Sequence, residues 1–213
     1  MSELVLHGYW RSGTSYRTRI ALNIKGLDYR QEPVDLREGV QKSAAYRALN
    51  PQGLVPALET PDGVLTQSPA IIEWLDERYP DPPLFPADPA ARAVVRAMAM
   101  TVACDIHPLN NLRVLNYLKD ELEAGPEDLG RWTANWIGQG FDALEAMIAR
   151  YGGRFAYGDT LTAADCHLVP QVYSAERFKV DCSRWPRLSL ATGNARAEAP
   201  IAAAHPDRQP DAD

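Results

Sequence analysis

The sequence predicts a small α/β domain followed by an all-helical one, and three observations carry that reading. Short apolar runs alternate with helical patterns from the start to about residue 79. Five prolines then fall within ten residues, PDPPLFPADP at 80–89, too many for a helix or a central strand, so the run reads as a linker. Beyond it only helical periodicity is found. With 213 residues, 46% of them hydrophobic, the chain can fill two such cores.

The stretch ELVLHGY (3–9) alternates loosely and suits a short strand. A helix follows from Ser15, where Tyr16, Ile20, Ile24 and Leu27 recur at helical spacing and Gly26 gives a stop signal. DYRQEPVDL (28–36) is a second strand, which Pro33 confines to an edge or a strand end because it brings no N–H to the ladder. KSAAYRALNPQG (42–53) suggests a short helix ended by Asn50–Pro51, since the residue before proline is pushed out of helical geometry. LVPALET (54–60) and GVLTQ (63–67) flank PDG, the composition of a hairpin turn. Ser68 is a candidate N-cap, and Pro69 fits the first position of a helix through AIIEWLDERY (70–79). The order is β-α-β-α-β-β-α.

In the second part, residues 90–119, about 127–152 and 162–177 read as helices. Thr162 and Asp165 have the spacing of a capping box, with Leu161 placed to staple onto Cys166. The run APIAAAHPDRQPDAD (199–213) reads as a frayed end.

Composition narrows the function. A net charge of −6 argues against a nucleic-acid surface, and no apolar run reaches the roughly 20 residues of a membrane span. The start, MSELVLHGYW, lacks the basic region and cleavage site of a signal peptide, so a soluble cytoplasmic protein is expected. Three separated cysteines and four scattered histidines suggest neither a disulfide framework nor a metal site.

Within YWRSGTSYRTRIAL (9–22), the first helix opens where unpaired N–H groups and a positive dipole end attract anions. Ser12, Thr14 and Ser15 can either donate hydrogen bonds to a bound anion or thiolate there, or simply cap the helix. Val55, next to Pro56, has backbone groups suited to strand-like pairing with a peptide-like ligand, and Gln67 and Ser68 stand at another helix N-terminus. In DIHPLNNLR, His107, Asn110, Asn111 and Arg113 fall within two turns, and Pro108 should bend the helix. At helical spacing His107 and Asn111 share one face, Asn110 and Arg113 another edge.

The strings YWRSGTSYRTRIALNIKG, NPQGLVPALET and LTQSPAIIEWLDERYP, followed by CDIHPLNNLRVLNYL and YGDTLTAADCHLVPQVYSAERF, resemble the zeta class of the glutathione transferase family, the maleylacetoacetate and maleylpyruvate isomerases. The resemblance runs from about residue 4 to about residue 190. It implies a thioredoxin-like N-terminal domain (1–83) that binds glutathione, an all-helical glutathione transferase C-terminal domain (88–213), and a homodimer. It further implies that Ser12 and Thr14 hold the glutathione sulfur, that a cis Pro56 presents Val55 to the cysteinyl backbone, and that Gln67 and Ser68 take the γ-glutamyl end. Arg11, Arg113 and Arg177 would bind the carboxylates of a maleyl substrate, with His107, Asn110 and Asn111 completing the pocket.

One departure is visible: the class usually carries Ser-Ser-Cys where this chain has Ser12, Gly13 and Thr14, so the sulfur chemistry must come from glutathione. The implied activity is cis-trans isomerisation of maleylpyruvate or maleylacetoacetate in aromatic-compound degradation. A transferase that conjugates electrophiles, or a non-catalytic glutathione-binding module, are the alternatives.

Overall fold

The computed structural model describes residues 4–212. Their packing divides the chain into two compact units, Met1–Leu84 with Ala197–Asp213, and Phe85–Arg196.

The first unit is built on a four-stranded sheet of order β2-β1-β3-β4, formed by β1 (Leu4–Gly8), β2 (Tyr29–Pro33), β3 (Ala57–Thr60) and β4 (Gly63–Thr66). β2 runs parallel to β1, with Leu4 opposite Tyr29, and lies at an edge, as Pro33 requires. β3 runs antiparallel to β1, with Leu6 opposite Leu58, and the β3–β4 hairpin closes at Gly63, whose φ of 120° suits glycine. The crossover from β1 to β2 is α1 (Gly13–Ile24), which packs against α3 (Ser68–Arg78). Ile20, Ala21 and Leu22 of α1 and Ile71, Ile72 and Leu75 of α3 are fully buried. A shorter helix, α2 (Ala44–Leu49), is capped by Ser43, whose hydroxyl accepts the Tyr46 N–H, and ends at Asn50 as the Asn-Pro pair predicts. The expected β-α-β-α-β-β-α order is the observed one.

The second unit contains α4 (Pro89–Met100), α5 (Leu112–Asp120), α6 (Pro126–Tyr151), α7 (Ala163–Arg177) and α8 (Pro186–Ala197, whose last residue falls in the first unit). Its core joins Val95, Met98 and Ala99 of α4 to Ile137, Phe141 and Leu144 of α6, with Trp185 edge-on to Phe141 at 5.2 Å between centroids. At the head of α7, Asp165 reaches back to the Thr162 N–H (2.9 Å), as the capping box predicts. It also accepts the Thr162 hydroxyl and the Ala156 N–H. Burial nevertheless pushes its carboxyl up to about 6.

Four expectations are corrected. Residues 90–119 are not one helix: a π-helical turn (Thr101–Ile106) and a 3-10 turn (His107–Asn110) break it ahead of α5. Helix α8 had no expected counterpart, because its buried face is made of Leu188, Ala191, Thr192 and Ala195, mostly too small to give an apolar stripe. Ser68 is the first residue of α3 and not its cap, a place taken by Gln67. The run 199–213 does not fray over its described part: α9 (Ala199–Ala203) packs on α1, with Ile201 and Ala204 fully buried. Residues 197–213 therefore belong with the first unit and not with the helical one.

Candidate active site

In the first unit the end of β1 turns into α1 through Tyr9, Trp10, Arg11 and Ser12, and the turn is closed by the Ser12 N–H on the Tyr9 carbonyl at 3.0 Å. Ser12 is the N-cap of α1; its Oγ accepts the Ser15 N–H at 3.3 Å. Ser12 Oγ and Thr14 Oγ1 are 2.9 Å apart, and Thr14 Oγ1 donates to the Val55 carbonyl at 2.9 Å. Since that carbonyl can only accept, the Thr14 proton is committed to it, and the proton between the two hydroxyls comes from Ser12. Both alternatives for these hydroxyls thus meet in one residue: Ser12 caps the helix and still carries a proton that can turn to a ligand.

The Val55–Pro56 bond is cis, as expected; the Asp81–Pro82 bond, also cis, was not anticipated. β3 begins only at Ala57, so the Val55 peptide lies outside the ladder. Its neighbour is held firmly. The Leu54 carbonyl accepts both the Tyr46 hydroxyl and the Asn50 side-chain N–H at 2.7 Å, and burial pushes the Tyr46 phenol up to about 12, which keeps it a donor. Tyr46 and Asn50 gave no sequence signal beyond the short helix that ends between them, because what they touch is set only by the fold.

Gln67 caps α3 with φ 68°, a left-handed conformation uncommon for a side-chain-bearing residue, and its amide donates to Gln52 Oε1 at 2.6 Å. Such conformations concentrate at ligand clamps. Ser68 is buried, and its hydroxyl accepts from Arg17 at 3.4 Å. Arg17, itself buried, adds positive charge at this helix N-terminus; it carried no signal in the sequence, since α1 also holds Thr14, Ser15, Thr18, Arg19 and Asn23. Arg11 is half-buried, with its guanidinium over the Trp10 ring at 5.2 Å.

In the second unit, His107 opens the 3-10 turn and is half-buried. Asn111 has extended backbone and caps α5, its Oδ1 accepting the Arg113 N–H at 3.1 Å. The face-sharing expected of a regular helix over 107–113 therefore does not apply. Asn110 points inward: it is buried, and its amide donates to the Ile106 carbonyl at 3.1 Å, mending the broken helix. Arg113 is exposed on α5, and Arg177 lies in the last turn of α7 over the Tyr173 ring at 5.8 Å. The segment that carries His107 is held from α6. The Trp132 indole N–H donates to the Leu109 carbonyl at 2.8 Å, and Gly140 leaves room for Ile106.

This arrangement has known relatives. Residues 11–78 match the family model for the glutathione S-transferase N-terminal domain. A maleylpyruvate isomerase from Ralstonia sp. is 50% identical over 208 residues, 97% of this chain and 98% of the relative. Among solved structures, the holo form of maleyl pyruvate isomerase, described as a bacterial glutathione-S-transferase in the zeta class, superposes with a TM-score of 0.96 at 49% identity, covering 98% of this chain and 100% of that one. A maleylacetoacetate isomerase from Anaeromyxobacter dehalogenans, with dicarboxyethyl glutathione and citrate bound in its active site, gives 0.90 at 44% identity, covering 99% and 98%. By sequence, fold and the geometry around Ser12 and the cis Pro56, this chain belongs to the zeta class of the glutathione transferase family.

Proposed function

We infer that the protein is a glutathione-dependent cis-trans isomerase that converts maleylpyruvate to fumarylpyruvate, or maleylacetoacetate to fumarylacetoacetate, in the degradation of aromatic compounds. The observation that carries this reading is the hydroxyl chain from Ser12 through Thr14 to the Val55 carbonyl, at the positive end of α1 beside a cis proline. These residues fit a thiol tripeptide. The Val55 peptide can pair with a ligand backbone, while Gln67, Ser68 and the buried Arg17 form a carboxylate-friendly helix end.

When bound, glutathione supplies the thiolate that adds to the maleyl double bond and departs once that bond has turned. The chain's own residues do the rest. The Ser12 hydroxyl and the α1 dipole lower the thiol pKa and hold the sulfur ionised. Thr14 fixes the Val55 carbonyl. No cysteine stands between Ser12 and Ser15, so no protein thiol is built into the sulfur site itself. Arg11, Arg113 and Arg177 bind the substrate's carboxylates, for which the planar guanidinium is well suited, and His107 and Asn111 contribute further donors. Asn110 completes the pocket with them: its amide nitrogen holds the Ile106 carbonyl, and its buried Oδ1 has no hydrogen-bond partner among the described residues. The protein acts as a cytoplasmic homodimer.

The test is turnover with catalytic glutathione. Maleylpyruvate should be isomerised without net loss of thiol, and an assay with both maleyl substrates in parallel ranks them. Stoichiometric consumption of glutathione into a stable adduct would replace this reading with that of a conjugating transferase. No rate above that of buffer with glutathione would remove it.

A further inference from the structure

We propose that the segment from Ala204 to Asp211 is a strap that positions the Trp10 peptide and, through it, Arg11 and Ser12; the proposal rests on reading Arg11–Thr14 as the thiol and carboxylate site. Trp10 is the second residue of the turn closed by the Ser12 N–H on the Tyr9 carbonyl. One polar group of its backbone is held by the strap directly and the other through Arg19 of α1. Its N–H donates to Asp211 Oδ2 at 3.0 Å. Its carbonyl accepts from Arg19 at 2.8 Å, and the Nε of the same guanidinium donates to the Ala204 carbonyl at 3.1 Å. The Trp10 ring, 7% exposed, in turn carries the Arg11 guanidinium. A shift of the Trp10 peptide therefore moves the arginine next to it and the cap two residues on.

The anchorage of the strap is separate from its action. Asn23 donates to the Pro200 carbonyl at 2.9 Å, and Gln31 donates to the Gln209 side chain at 3.0 Å. Gln209 itself closes the segment by donating to the carbonyls of Ala203 and His205. With Ile201 and Ala204 fully buried, these contacts hold the segment on α1 and β2 without Asp211. The Asp211 carboxylate makes its hydrogen bond to the one peptide that precedes Arg11, which marks it as a positioning residue.

The experiment compares the full chain with Asp211→Ala and Asp211→Asn. The amide oxygen of Asn can still accept the Trp10 N–H; Ala cannot. A hydrogen bond to a charged group corresponds to about tenfold or more, so D211A should raise KM for the maleyl substrate about tenfold and move the acidic limb of the kcat/KM profile upward. D211N should restore most of both, and the melting temperatures of all three proteins should stay within a few degrees. Exchange of the Trp10 amide, which does not depend on activity, should be slow in the unmodified chain and D211N and fast in D211A. Unchanged KM, pH profile and Trp10 exchange in D211A, beside normal turnover of the unmodified chain, would overturn the strap alone; so would D211N failing as badly as D211A. Absent glutathione-dependent turnover in the unmodified chain would overturn the functional reading and the proposal with it.

Discussion

Gly140→Ala should destabilise the second unit although it places a better helix former in the middle of α6. A Cβ at this position would lie 2.2 Å from Ile106 Cγ1 and 2.3 Å from its Cδ1, where ordinary carbon contacts fall at about 3.5–4.0 Å. Ile106 is fully buried and ends the π-helical turn, so it has little room to yield. Overpacking of this kind costs about 3 kcal/mol, against a gain of about 1 kcal/mol from replacing a helical glycine, which leaves a net loss of about 2 kcal/mol. Gly130, in the same helix with no atom within 4 Å of its would-be Cβ, is the control: Gly130→Ala should stabilise by about 0.5–1 kcal/mol. The decisive measurement is a double-mutant cycle by urea unfolding with Ile106→Ala, which removes both clashing atoms and leaves its own Cβ at 3.7 Å. Gly140→Ala should then stabilise by about 1 kcal/mol, the helix gain alone, giving a coupling of about 3 kcal/mol. Additivity within about 0.5 kcal/mol would refute the packing argument.

Two further outcomes follow from the hydrogen bonds. Ser12→Ala should lower kcat about tenfold to a hundredfold, since it removes a donor to a thiolate, whereas Thr14→Val should mainly raise KM for glutathione, about threefold to tenfold, since it frees the Val55 carbonyl. Steady-state kinetics that put the larger kcat loss on Thr14 would reverse the assignment of the two protons. Asp165, with its carboxyl raised from 3.8 to about 6, contributes fully only below the lower value, and about 3 kcal/mol of that contribution is lost as pH rises through about 6. The stability gap between the protein and Asp165→Asn should therefore narrow from about pH 4.5 to about pH 7.5 in urea titrations, and a gap that widens would show that the three donors outweigh burial.

The elements of the first unit were legible because each one is punctuated: Asn50–Pro51 ends α2, Gly63 makes the hairpin turn, and the Ser12 hydroxyl begins α1. Pro56 was legible only through resemblance, since nothing in LVPAL by itself distinguishes a cis from a trans bond. What failed did so for physical reasons. Periodicity predicts a helix over 90–119 and foresees the bend at Pro108, but the break begins at Thr101, where the helix widens to seat Ile106 against Gly140 on an element more than thirty residues away. The run 199–213 is polar and rich in alanine, so it looks frayed; its order comes from Ile201 and from hydrogen bonds to Trp10, Arg19, Asn23 and Gln31, none of which is local. Asn110 has a pocket role only through resemblance; its amide nitrogen serves the Ile106 carbonyl, a contact made where the helix is broken and therefore not legible from periodicity.

The proline run that separates the two parts is less of a tether than its composition suggests. Asp76 Oδ1 accepts both the Lys25 ammonium (2.8 Å) and the Leu84 N–H (2.6 Å), while Lys25 also donates to the Pro82 carbonyl. Leu84 is fully buried and closes the first unit; the next residue, Phe85, lies under the guanidinium groups of Arg92 and Arg96 and opens the second. The proline run thus contributes its Leu84 to one core and its Phe85 to the other. Lengthening the 80–84 segment would dislodge the Leu84 plug and the buried ion pair beneath it, so these residues, exposed from 80 to 83, are pinned to the first unit by their last member.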